Sequence, residues 1–252
     1  MKMQVIRDPL LAIFGDEIYK DMWWWNFEEM LGKIDYAHLM NTNNGVALGP
    51  SKLRNFLINT LPSFFGEWIS TVDIKIQPDK SLKIDQDAKF FTFNYTMLLE
   101  EVYKVDDHNV WHIHNSIRAF HQGINPIVGH DSNGGQLIAY LSECRKNSEI
   151  RFDIADTMNQ EIENAAKKVK NRIRINDERF SSFYSDIKQY VCMGFSFNEI
   201  DKPYIEKIAE VNTSFSTAKW ILYWHSDGED ERMVNRLHDL GVNKSNITTH
   251  RW

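Results

Sequence analysis

Residues 190–241 read YVCMGFSFNEIDKPYIEKIAEVNTSFSTAKWILYWHSDGEDERMVNRLHDLG. This stretch decides the fold class. Tyr190 to Gly194 is a short apolar run that ends on glycine, the pattern of a buried strand. Ile200 to Val211 has helical spacing, and Pro203 is acceptable in a first helical turn. Ala218 to Trp224 (AKWILYW) is again strand-like. Gly228 to Leu240 returns to helical spacing and is closed by Gly241 as the residue after the C-cap. Strand, helix, strand, helix with short links predicts a right-handed parallel βαβ arrangement.

Upstream, Lys89 to Phe93 (KFFTF) is short, aromatic and β-favouring. Asn94 to Lys104 has helical spacing through Leu98, Leu99 and Val102. Val110 to His114 (VWHIH) alternates as a strand does, which puts His112 and His114 on one face and Ile113 on the other. Pro126 to Gly129 is a further short strand candidate, and residues 159–188 read as mostly helical. Asp21 to Met40 places Trp24, Phe27, Leu31 and Ile34 on one helical stripe. Trp23, Trp24 and Trp25 are read as packing residues rather than a binding platform. Asn41 to Pro50 is a loop, Ser51 a candidate N-cap, and Pro62 a break or restart. Phe64, Phe65, Trp68 and Ile69 continue an apolar face. The expectation is one α/β domain over 1–252. A mostly helical part covers 1–88, and a mostly parallel sheet flanked by helices covers 89–252.

The chain has 252 residues, enough for one large domain with a real core. Lys+Arg number 29 against 35 Asp+Glu, a formal charge of −6, which does not favour binding to nucleic-acid phosphates. No apolar run reaches the roughly 20 residues of a membrane helix, so no membrane partner is expected. Met1 to Gln4 lacks a signal-peptide pattern. Two cysteines, Cys144 and Cys192, are too few for a disulfide scaffold, so a reducing cytoplasm is the expected compartment.

Open parallel sheets bind ligands beyond the C-terminal ends of their strands. Five predicted strand ends carry small or hydrogen-bonding groups there. They are Thr92 and Asn94; His114, Asn115 and Ser116; Gly129, His130 and Asp131; Gly194, Ser196, Asn198 and Glu199; and His225, Ser226 and Asp227. Helix caps use the same residue types, so Asn94 taken alone reads better as a cap. Together the five ends predict a polar cleft. His112 and His114, with His121 and His130 nearby, also leave a zinc site open, although no H-E-x-x-H pattern and no Cys pair supports one. Gly194-Phe195-Ser196 is not the hydrolase elbow, because position 198 is Asn.

In sequence order these residues resemble the bacteriophage abortive-infection AbiH family. Phe91-Thr92-Phe93-Asn94-Tyr95-Thr96, then Leu99-Glu100 and Tyr103, resemble its TFNYT…LE..Y stretch. His112-Ile113-His114 resembles its HIHG, and Gly129-His130 its GHG. Gly194-Phe195-Ser196 with Asp201 and Tyr204 resembles its GHS…D..Y segment, and Trp25-Asn26-Phe27-Glu28 its W.dFE helix. The match runs from about Trp25 to Asp239. Asn115 stands where the family has Gly, and Asp131 where it has the second Gly of GHG. The family's opening strand and GNGFD loop have no counterpart in Met1 to Gly15, where Phe14-Gly15-Asp16 is a poor remnant. The expectation is a truncated member, one that starts late, or a degenerate one.

The same order is similar to a remote version of the sirtuin-type NAD-binding fold. That likeness implies a Rossmann-like sheet. It implies Asn94 as the residue positioning ribose or water, His114 as the catalytic base, and Gly194 and Ser196 as a nucleotide-contacting loop. Thr92, Ser116, Gly129, His130 and His225 complete the expected nucleotide-binding edge. Three functions stay open. One is antiphage defence by cleavage of NAD or a related nucleotide. The second is a non-enzymatic nucleotide sensor or protein-interaction component of such defence. The third is a metal-dependent hydrolase or nuclease built on His112, His114 and His130, although no metal is expected. The implied partners are a nucleotide and a phage or host protein trigger, and a homo-oligomer stays open.

Overall fold

Strand pairing is parallel throughout the residues described by the computed structural model, which are 51–52, 54–75, 82–128, 156–157, 160, 169–195, 197 and 201–251. The predicted helix Asp21 to Met40, the loop Asn41 to Pro50 and the three tryptophans lie outside them, as do Gly129, His130 and Ser196. The chain divides into two compact units, Met1–Lys167 and Lys168–Trp252.

In the first unit a π-helical turn, Phe56–Thr60, runs into helix α1, Leu61–Ile69. Pro62 sits in the first turn of α1, where its missing N–H costs nothing. It therefore restarts the helix, and Ser51 is already helical rather than a cap. Strand β1 is Phe90–Thr92 and a single helical turn, α2, is Leu98–Glu101. Strand β2 is Val110–His112, and helix α3 is Ile117–His121. β1 and β2 pair in parallel, with Phe90 opposite Val110 and Thr92 opposite His112. Phe65, Tyr95, Val110, Trp111 and Ile113 form the buried apolar centre. Phe65 meets Tyr95 edge-on at 4.8 Å between ring centres, and Phe91 meets Trp111 at 5.2 Å.

Three sequence expectations need correction here. The helix over Asn94 to Lys104 shrinks to one turn, because the segment before it spends its polar groups on the exits of β1 and β2. The Asn94 amide donates to Thr92 Oγ1, and the Tyr95 carbonyl accepts from the Ile117 amide. The strand over Val110 to His114 ends at His112, where the Asn115 amide turns back onto the His112 carbonyl. Alternation therefore stops, and Ile113 and His114 are both buried, 1% and 2% exposed. Pro126 to Val128 is no strand; the Ile127 amide bonds the His114 carbonyl, and Tyr95 Oη donates to the Ile127 carbonyl.

The second unit opens with helices α4, Val169–Ile175, and α5, Asp177–Tyr184. It continues through β3, Gln189–Met193; α6, Lys202–Val211; β4, Lys219–Trp224; α7, Glu229–Asp239; and β5, Ile247–Arg251. The sheet order is β3-β4-β5, all parallel, with Val191 opposite Ile221 and Ile221 opposite Thr248. This is the predicted strand–helix–strand–helix succession. β5 extends it beyond what the sequence pattern announces. Trp220 and Leu222 point into a core with Phe180, Tyr204, Ile208, Met233 and Leu237. Tyr190 stacks on Trp220 with ring centres 4.1 Å apart. Asn212 closes that core. Its Nδ2 donates to the Ile187 carbonyl and to Tyr190 Oη, and its Oδ1 accepts from the Ser214 amide.

Candidate functional site

The parallel pairing of β1 and β2 brings both strand exits to one edge. Thr92 and His112 are register partners, so Asn94 and His114 each lie two residues beyond the paired rows. Hydrogen bonds then staple the exits together. The Ile113 amide donates to the Thr92 carbonyl at 3.2 Å, and the Ile117 amide donates to the Tyr95 carbonyl at 2.8 Å. His112 Nδ1 lies 2.7 Å from the Asn94 carbonyl oxygen.

Four predicted site residues therefore share one edge of the first unit. Thr92 uses its hydroxyl to accept from the Asn94 amide, which fixes the turn out of β1. Asn94 is exposed. His114 is buried, with its ring 5.5 Å from that of Phe93 and 6.3 Å from that of Tyr95. Ser116 is the N-cap of α3 and accepts from the Ala119 amide.

Between His114 and Ser116 stands Asn115, with φ of +68°. This left-handed conformation is one glycine adopts freely and asparagine tolerates best among other residues. Asn115 Nδ2 also donates to the Asn125 carbonyl at 3.0 Å. The departure from His-Gly at this point is thus accommodated by the backbone, because Asn115 takes the conformation that glycine would supply.

His112 and Glu100 form a pair that the sequence reading did not bring together. His112 Nε2 lies 2.9 Å from Glu100 Oε1, and the two side chains are 10% and 6% exposed. Glu100 Oε2 is buried without a hydrogen-bond partner among the described residues. Glu100 comes from α2, the short crossover between the two strands. The only sequence signal was an acidic residue lodged between Leu98, Leu99 and Val102. With both ring nitrogens of His112 engaged by protein groups, the zinc reading of the His-x-His pair loses its first ligand. Among the described residues, no group of three or more His, Cys, Asp or Glu could hold a metal ion.

In the second unit Gly194 follows β3 with φ of +64°, and a Cβ there would meet nothing within 4 Å. His225 is exposed beyond β4, and its amide and that of Ser226 donate to Glu229 Oε2. This turn is closed by its own carboxylate, and α7 begins with Glu229, Asp230 and Glu231. Those negative charges suit the helix N-terminus and disfavour a second anion there. Burial pushes the Cys192 thiol up to about 12.

The class defined by these features is an α/β protein with parallel ladders, whose first unit gathers polar residues beyond its strand ends. A family profile described as Bacteriophage abortive infection AbiH matches residues 50–224. That is most of the chain, and the protein belongs to this family, which supports a role in abortive infection of bacteriophage. No curated protein and no solved structure matches the chain. Among the described residues no helix is long and apolar enough to cross a membrane.

Proposed function

We propose that the protein serves abortive infection by cleaving the N-glycosidic bond of NAD or a related nucleotide at the C-terminal ends of β1 and β2. The parallel strand–helix succession within each unit is read as Rossmann-like and sirtuin-related. In the reaction, nicotinamide leaves with the bonding electron pair and an oxocarbenium-like ribose forms. Water adds at the ribose carbon, and its proton passes to a base. Asn94 orients the ribose or the water, and His114 takes the proton, a role suited to an imidazole. Thr92 holds the Asn94 turn, and Ser116 holds the start of α3. The site acts in the cytoplasm, a compartment that suits a chain with only two cysteines.

The observation that carries this reading is the register of β1 and β2, which puts Asn94 and His114 at the edge where parallel sheets take their ligands. The test is nicotinamide release from NAD and NADP by the purified full chain, followed by chromatography. Release is expected, with a loss of about a hundredfold in His114→Ala, as for removal of a general base. Wild type that releases none from either nucleotide overturns it. A second reading, nucleotide binding without turnover, is favoured by the burial of His114. Calorimetry that finds heat of binding without release selects it, and calorimetry that finds no heat removes both readings.

A further inference from the structure

Glu100 and His112 take no part in the reaction just described, yet they form an enclosed ionisable pair at its edge, with side chains 6% and 10% exposed. A carbonyl oxygen only accepts hydrogen bonds, so His112 Nδ1, 2.7 Å from the Asn94 carbonyl, carries a proton and donates it. His112 Nε2 and Glu100 Oε1 lie 2.9 Å apart, and a hydrogen bond at that distance requires a proton between them. The imidazole is therefore bonded at both nitrogens. It bridges the crossover turn α2 to the exit of β1 from the last residue of β2. The other carboxyl oxygen, Glu100 Oε2, is buried and has no partner among the described residues, so within them His112 is what holds this carboxyl. Buried polar groups in so small a network are fixed by their few bonds, and they fix in turn whatever those bonds reach.

We propose that Glu100 and His112 share one buried proton and act as the positioning pair of the site. Glu100 sets the tautomer and plane of the His112 ring, and the ring sets the Asn94 carbonyl. The Asn94 side chain is thereby presented at the strand exit. Neither residue touches substrate. The logic is that of a carboxylate orienting an imidazole, here with a backbone turn as the object positioned. The assignment rests on the nucleotide-cleavage reading for its purpose and on geometry alone for its existence.

Two variants separate the outcomes. In Glu100→Gln the carboxamide still reaches Nε2 and can donate to it, so the ring keeps its plane. In Glu100→Ala the ring loses that partner. Nitrogen-15 histidine spectra of the full chain, with the His112 signals assigned by their loss in His112→Gln, read the tautomer directly. The carbonyl carbon shift of Asn94 reads the bond from Nδ1. Expected are a protonated, bonded Nδ1 in wild type and in Glu100→Gln, and a moved Asn94 carbonyl shift in Glu100→Ala only. Nicotinamide release should stay within about threefold in Glu100→Gln and fall about tenfold in Glu100→Ala, the rate equivalent of one lost hydrogen bond. The loss should appear in kcat rather than KM. An unprotonated Nδ1 in wild type, or an Asn94 carbonyl unmoved by Glu100→Ala, overturns the pair. A wild type that cleaves no nucleotide overturns the cleavage reading alone, and the two spectroscopic readouts still decide the pair.

Discussion

Position 115 offers a direct test of how the His114 turn is built. Its backbone sits at φ +68°. A left-handed conformation costs an ordinary L-residue roughly 1–2 kcal/mol, less for asparagine and nothing for glycine. The side chain also donates to the Asn125 carbonyl, an exposed bond with a net value of about 0.5–1.5 kcal/mol. Asn115→Gly removes the strain and the bond and loosens the unfolded chain by about 0.4–1 kcal/mol. These changes oppose one another, and the expected net is within about 1 kcal/mol of wild type. Asn115→Ala keeps the strained backbone and loses the bond, so it should cost about 1–2.5 kcal/mol. Asn115→Val adds β-branching at positive φ and should cost more than Ala. Native-state hydrogen exchange at the Ile113 and Ile117 amides is the suitable assay. Their acceptors, the Thr92 and Tyr95 carbonyls, lie in the facing exit and report the opening of this unit by itself. The required order is Gly close to Asn, then Ala, then Val. Alanine equal to glycine would refute the claim that conformation, rather than a side-chain contact, governs this position.

Two further outcomes follow from packing and burial. A Cβ on Gly66 would lie 2.5 Å from two ring atoms of Phe120 and 2.8 Å from the base of that ring, so Gly66→Ala must displace the Phe120 ring or the helix α3 that carries it. A cost of about 1–3 kcal/mol is expected by urea unfolding; a neutral result would mean that the ring swings clear. In the second unit, burial pushes the Tyr190 phenol up to about 12, opposed by the bond donated from Asn212. The folded chain thus keeps this proton where the unfolded chain, near 10, has lost it. Its contribution is whole below about pH 10 and fades as pH rises toward 12. Tyr190→Phe should flatten the fall of stability over that window, measured by urea midpoints at stepped pH; an unchanged slope would contradict it.

The parts legible in the sequence were those whose signals are local. Tyr190 to Met193 and Ala218 to Trp224 are apolar runs bounded by turns, and the structure pairs them within a residue of the expected bounds. The family was likewise legible, because the order of short motifs is read in one dimension. What escaped is what depends on partners distant in sequence. Ile247 to Arg251 carries one apolar residue in five and is a strand because β4 offers it an unpaired edge. Leu98, Leu99 and Val102 have true helical spacing. Yet Asn94 to Met97 cannot join their helix while Asn94 and Tyr95 bond across to His112 and Ile117.

The strand exits show the same division at the level of chemistry. Residue types at 92, 94 and 114 announced a polar edge, but not the work each one does. Alternation assigned His112 and His114 to one face. The turn at Asn115 separates them, sending one ring between Phe93 and Tyr95 and the other onto Glu100 and the Asn94 carbonyl. That turn depends on the positive φ of Asn115, a conformation that asparagine tolerates better than other residues with a side chain. Asparagine at this position is therefore a marker of the backbone geometry that separates the two rings. The same argument extends to Glu100. Its spacing from His112 has no meaning along the chain and acquires one only when β1 and β2 pair in register.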